Sequence, residues 1–299
     1  MKSYKQLFNE WAQTTNMLHE MTDAERKDVQ QHLLAMFEDI KNVCKRHQLT
    51  VVLGGGSCLG AIRHKGFIPW DDDLDLNMPR KDYNMLIALL KQGVLGDKYE
   101  FRYPDGKMYS RTAFLKIYLK GSIYEDVFGD NKLYPQGLFV DIFPIEGVPS
   151  SKLWRTVKGY LANALRLIGN CVIESELDVQ SVKQAVAGSP ELLKTIKRRH
   201  FIGKCFSFFS SKTWMFFFDK LVSDERVTPL VTIPTGRNLY QGEIIESSKL
   251  FPAIEVPFEN AQADVYKDYE DYLTLMYGDY MQVPPVEKRE RHFIKTLKL

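Results

Sequence analysis

The chain has 299 residues, 44% hydrophobic and 26% charged, which fits a folded globular protein and excludes a disordered tail or a fibrous repeat. Lysine and arginine number 40 against 38 acids, so the formal charge of +2 gives no overall electrostatic ground for a nucleic-acid partner. Cys44, Cys58, Cys171 and Cys205 form no CxxC pair, so neither a disulfide framework nor a structural zinc is expected, and reduced cytoplasmic thiols are. The polar N-terminus lacks a signal-peptide core and no run of 18 apolar residues occurs, so neither secretion nor membrane spanning is expected.

Tyr4, Leu7, Phe8 and Trp11 recur at helical spacing and predict an amphipathic first helix. Thr22 with Glu25 has the form of a capping box. The stripe Val29, Leu33, Met36, Phe37, Ile40, Val43 and Cys44 then predicts a long helix from about Asp23 to His47. Leu49 to Leu53 predicts a strand, and Gly54-Gly55-Gly56-Ser57 a tight turn into a helix. Asp73-Leu74-Asp75-Leu76 reads as a strand with one polar side, and Pro79 as the start of a helix carrying Tyr83, Leu86, Ile87 and Leu90.

Residues 99–103, 112–126 and 137–143 have strand-like content, with Gly121 and Gly129-Asp130-Asn131 as turns between them. Residues 150–220 hold twelve lysines and arginines against five acids and show only helical patterns. Val265, Tyr269, Tyr272, Leu273 and Met276 predict a late helix ended by Gly278, followed by a basic tail. The expected fold class is α/β with a mixed sheet. The expected division is a core of 1–149, a basic helical insertion of 150–225 and a C-terminal part, 226–299, that completes the core.

The stretch from Gly54 to Leu76 carries the chemistry. Glycines at a strand-to-helix turn permit close backbone approach, and amides opening a helix can receive phosphate oxygens, which makes Gly55, Gly56 and Ser57 candidate binding residues. Residues two apart on a strand share a face, so Asp73 and Asp75 would stand side by side, with Asp71 in line if the strand begins early. Such a pair is either solvated or neutralised by a cation such as Mg²⁺ or Mn²⁺. The flanking Ile68, Trp70, Leu74 and Leu76 favour the cation.

Asp141 is a lone acid in the apolar run Gly137–Pro144, where a salt bridge is the ordinary alternative to a site role. With Asp73 and Asp75 it makes three candidate catalytic and metal-binding acids, and Asp71 and Asp72 are further candidate ligands. Arg63, His64 and Lys65 could meet phosphate charge, Arg63 best because its fork suits phosphate, and in the tail Arg289, Arg291 and His292 could close over the same site.

Gly56-Ser57, the run Leu59–Asp75 (LGAIRHKGFIPWDDDLD), Asp141-Ile-Phe-Pro144, Glu255-Val-Pro-Phe258 and Tyr277-Gly278-Asp279-Tyr280 with Pro284-Pro285, Arg289 and His292 resemble, in order, the signature of the LicD family. The resemblance covers roughly residues 25–148 and 250–295. It implies a nucleotidyltransferase-like core in which Gly56-Ser57, Asp73-Leu-Asp75 and Asp141 match the turn and acidic strands. It also implies Mg²⁺-dependent transfer of phosphocholine, or a related phospho-alcohol such as ribitol phosphate, from a CDP-linked donor to a cell-surface glycan or lipid-linked precursor. The cysteine spacing of the fukutin-related zinc insert is absent, which points to the bacterial branch.

On that reading Asp73 and Asp75 hold the cation, Asp141 serves as ligand or base, and Ser57 and Arg63 meet phosphate. Trp70, Phe67, Tyr109 and Tyr118 are candidates to face a quaternary ammonium. Competing readings are a nucleotidyltransferase that releases pyrophosphate and a non-catalytic nucleotide- or glycan-binding protein. The charge and aromatic residues of 150–220 also suit peripheral contact with an anionic inner-membrane face; no nucleic-acid partner is expected.

Overall fold

The computed structural model describes residues 4–15, 18–125, 135–177, 183, 186, 188–289 and 293–299. Helix α1 (Tyr4–Ala12) and a two-residue strand β1 (His19–Glu20) precede α2 (Asp23–Arg46). The α2 N-terminus carries the full capping box: the Thr22 hydroxyl accepts from the Glu25 amide and the Glu25 carboxylate accepts from the Thr22 amide. Its stripe from Val29 to Cys44 is buried.

Next come β2 (Val52–Leu53), α3 (Gly55–His64), β3 (Asp75–Pro79) and α4 (Arg80–Lys91). Strands β4 (Tyr99–Arg102), β5 (Leu115–Leu119), β6 (Ile123–Glu125) and β7 (Phe139–Gly147) follow. The strand content of 112–126 thus divides in two, because Gly121 turns the chain with φ +84°. The expected turn at Gly129–Asn131 lies outside the described residues.

The described part of the next stretch is helical: α5 (Lys152–Glu176), α6 (Pro190–Cys205) and α7 (Ser211–Val222). The chain continues through β8 (Leu230–Thr232), α8 (Leu239–Gly242), β9 (Ile245–Glu246), α9 (Ser247–Leu250) and the hairpin β10 (Ile254–Phe258) with β11 (Ala261–Val265). Helix α10 (Tyr269–Tyr277) ends at Gly278, φ +69°. Val265, expected on that helix, instead closes β11; its burial comes from strand pairing with Ile254, and the helical stripe begins at Tyr269. The last strands, β12 (Phe293–Ile294) and β13 (Thr296–Lys298), pair with β1 and β6 and bind the C-terminal segment to the core.

Among the described residues the central sheet runs β2-β3-β7-β5-β4, with β8 and β9 continuing from the far end of β7. β3 and β7 are parallel and the other pairs antiparallel, a mixed sheet in an α/β fold. Alternation along β3 sends Leu76 and Met78 into the core shared with α2 and α4, and Asp75 and Asn77 to the other face. A second core joins α1 to α5, α6 and α7 through Leu7, Trp11, Ala162, Ile196, Met215 and Phe218. Arg80 links the two. It lies against Glu146 of β7 and donates to Asp219 of α7 at 2.8 Å, and Glu146 also accepts from the Asp224 amide.

Candidate active site

Strand register sets the first wall of the site. Asp75 pairs with Asp141 across β3 and β7, and Asp141 pairs with Lys116 across β7 and β5, so the three side chains form one row over adjacent strands. Upstream of β3 the chain is already extended, and Asp71, Asp73 and Asp75 all line one cavity of about 440 Å³. Asp72, on the opposite side, is buried and accepts from the Tyr124 hydroxyl at 2.7 Å.

The glycine turn is built for close approach. A side chain on Gly54 would meet Asn77 at 2.5 Å, one on Gly55 the Asp75 carboxylate at 3.0 Å, and one on Gly56 the Asp71 carboxylate at 3.1 Å; Gly55 also has φ +45°. Gly55 and Gly56 therefore line the cavity, and helix α3 begins at Gly55, inside the glycines. The Gly55 amide donates to the Tyr272 hydroxyl. Ser57 is buried and its hydroxyl accepts from the Asp75 amide at 2.9 Å, so it fixes the start of β3 and faces away from the cavity lining.

Burial pushes the Asp75 carboxyl well above the usual carboxylate range, and Asp73 and Asp141 push it further while Lys116 opposes them. Asp141 is likewise raised by burial, against the pull of Lys116, whose ammonium stands 2.8 Å from Oδ1. That contact is an ion pair by distance, without the angle of a directed hydrogen bond. The lone lysine in a strand otherwise reading Leu-Ile-Tyr-Leu is the counterpart of the lone aspartate in β7.

Arg63, His64 and Lys65 lie outside the cavity lining. Arg63 donates to the carbonyl of Tyr280 and to His64 Nε2, and Trp70 packs between His64, Arg63 and Arg289. Burial, then the Arg63 charge, depress His64 and keep its ring neutral at pH 7. Lys65 caps α3 in the left-handed conformation, φ +59°. Arg291 and His292 lie outside the described residues. Phe67 and Tyr118 are core, and Tyr109 lies under the Lys212 ammonium; the rings that line the cavity are Phe143, Tyr272 and Tyr277.

The rest of the polar lining was not anticipated from the sequence. It is formed by Arg166 of α5 and by Ile233, Thr235, Gly236, Arg237 and Glu243. Ile233-Pro-Thr-Gly236 is a turn closed by the Gly236 amide on the Ile233 carbonyl, and Arg166 donates to the carbonyls of Pro234 and Gly236. Gly236 leaves room for the Glu243 carboxylate, which would sit 2.2 Å from an added Cβ and accepts from the Asn238 amide. Thr235 is 5% exposed and its hydroxyl has no hydrogen-bond partner. Arg237 lies over the Tyr277 ring.

Among the described residues no three acid, histidine or cysteine side chains stand at metal-ligand spacing. Asp73 and Asp75 nevertheless fit a hard cation. They are oxygen donors on a cavity wall, Mg²⁺ is commonly held by one or two carboxylates with water and phosphate completing its shell, and mutual repulsion at Asp75 is what a cation relieves.

Residues 48–161 match the family model described as the LicD/FKTN/FKRP nucleotidyltransferase domain. The chain is 27% identical over 255 residues to the lipopolysaccharide cholinephosphotransferase LicD of Haemophilus influenzae, covering 85% of this chain and 90% of that protein. An uncharacterized protein of Rickettsia prowazekii is 33% identical over 60 residues, 20% of this chain and 23% of its own. The matched segment contains the glycine turn, the aspartate strand and the Asp141 strand, and the longer alignment extends over most of the remainder: residues 48–161 carry a LicD/FKTN/FKRP nucleotidyltransferase domain.

Proposed function

We propose that the protein is a divalent-cation-dependent phosphotransferase. It moves phosphocholine, or a related phospho-alcohol, from a CDP-linked donor to a hydroxyl of a cell-surface glycan precursor and releases CMP. One observation carries this reading: a single cavity is lined both by the carboxylates of Asp71, Asp73 and Asp75 and by Arg166, Arg237 and the unpartnered Thr235 hydroxyl. A nucleoside diphosphate bound to a cation suits both sets at once. The likeness to a cholinephosphotransferase over 85% of the chain supports the same direction.

In this reading Asp73 and Asp75 hold Mg²⁺ or Mn²⁺, which when bound would neutralise diphosphate charge. Ser57 and the Asp141–Lys116 pair keep Asp75 in register. Thr235 and Arg237 bind phosphate oxygens, in place of Arg63, whose guanidinium donates to the Tyr280 carbonyl. Asp141 is tied to Lys116 and absent from the cavity lining, so in this reading Asp71, which lines the cavity, takes the acceptor's proton. The acceptor oxygen bonds to phosphorus, the phosphorus–oxygen bond to CMP breaks, and CMP leaves with the electron pair. The tyrosine and phenylalanine rings of the cavity, with Glu243, suit a cationic head group.

Incubation with Mg²⁺ and, separately, CDP-choline, CDP-ethanolamine, CDP-glycerol, CDP-ribitol and CTP, each with a glycan acceptor, tests the proposal by mass spectrometry. CMP together with a phospho-alcohol-bearing acceptor from one CDP-linked donor, lost in Asp73→Asn, is the expected result. Pyrophosphate from CTP alone would replace the proposal with a nucleotidyltransferase.

A further inference from the structure

Helix α5 faces two ways. Its inner side packs through Gly159, Ala162 and Gly169, and sends Arg166 to the cavity wall. Its outer side is apolar as well. Leu153, Trp154, Val157, Tyr160, Leu161 and Leu167 are between 38% and 69% exposed. Their spacing places them on one face, a stripe about 21 Å long at 1.5 Å per residue. Single exposed apolar residues are ordinary, but a continuous stripe of this length marks a surface that meets another phase or another molecule.

Charge selects between those occupants. From Lys152 to Ile173, α5 carries Lys152, Arg155, Lys158 and Arg166 and no acid. Arg166 and Arg155, on one side eleven residues apart, face inward and Lys158 donates to the Val222 carbonyl, which leaves Lys152 exposed beside the stripe; Lys197 and Arg198 are exposed on α6. A second copy seated face to face on this helix would oppose cation to cation, whereas an anionic lipid surface complements it. Among the described residues no helix is long and apolar enough to cross a membrane. A stripe of leucines with a tryptophan and a tyrosine, on a helix with no acid from Lys152 to Ile173, suits a helix lying in the plane of the headgroups.

We propose that the outer face of α5 docks flat on an anionic lipid bilayer. Docking there holds the helix that supplies Arg166 at the bilayer surface, so the cavity is served by acceptors carried on lipid. On α6, Arg199 is engaged with Glu174 and stacked on Tyr4, so it does not belong to the contact.

Flotation of the full chain with phosphatidylglycerol–phosphatidylcholine vesicles, against pure phosphatidylcholine, tests this without any nucleotide and so independently of the donor chemistry. Expected results are binding to the anionic vesicles only and a blue shift of Trp154 emission that is absent in Trp154→Phe. Leu153→Glu with Leu161→Glu should weaken binding about tenfold or more, and Lys152→Ala about fivefold. All these positions are at the surface, and unchanged melting curves would show that the variants fold. Equal flotation of wild type and the glutamate variant would overturn the proposal. So would the absence of vesicle binding together with self-association that the same variant abolishes, which would make the face an interface between copies.

Discussion

Glu243→Gln probes the polar lining of the cavity through pH. Burial pushes the Glu243 carboxyl from 4.5 up to about 7, against the Asn238 amide and the Arg166 charge, which pull it down. The folded state therefore holds this proton more tightly than the unfolded chain does. Its contribution to stability is complete below pH 4.5 and is lost as pH rises towards 7. At 1.36 kcal/mol per pKa unit the full span is roughly 3 kcal/mol. Glutamine keeps the bond from the Asn238 amide and fits against Gly236 without titrating. Urea titrations of both proteins at pH 5 and pH 7.5 should show the variant gaining roughly 2 to 3 kcal/mol on wild type across that interval. A difference that stays constant with pH would refute the argument that the carboxyl is desolvated in the cavity wall.

Arg80→Met would strand Glu146 and Asp219 without their cation and should lower stability by about 3–5 kcal/mol in urea melts. Replacing Glu146 by methionine as well should recover part of that loss. Lys116→Met leaves Asp141 uncompensated beside Asp75, with a cost of similar size, about 3–5 kcal/mol, and a fall in kcat larger than any change in KM, whereas Lys116→Arg should retain most stability. Gly60→Ala would set a methyl 2.5 Å from the Gly66 carbonyl and push α3 from the loop leading to Asp71, costing roughly 1–3 kcal/mol. Gly93→Ala, with open space around it but φ +78°, would separate crowding from backbone strain in the same thermal melts.

What the sequence disclosed followed from local rules. Thr22 and Glu25 are three residues apart, and the α2 stripe repeats at helical spacing, so both could be read without tertiary information. The alternation that brings Asp71, Asp73 and Asp75 to one wall is equally local. Ser57 and Arg63 lie near the site in sequence, yet their partners, the Asp75 amide and the Tyr280 carbonyl, turn both from the cavity lining. Arg166, Thr235, Arg237 and Glu243 were missed because they reach the cavity from segments far along the chain. The Pro234-Thr-Gly-Arg237 turn was the available signal, as was Lys116, a charge in an apolar strand opposite the aspartate that did draw notice.

The aspartates and arginines of the cavity together should bind one cation–diphosphate complex. Mn²⁺ titration followed by electron paramagnetic resonance, with and without CDP, tests it most directly. CDP should tighten Mn²⁺ binding to the wild type by about tenfold or more. That gain should vanish in Asp75→Asn and shrink in Arg237→Ala. Mn²⁺ binding that ignores CDP, or that survives unchanged in Asp75→Asn, would mean that the cavity does not hold the cation and the diphosphate together.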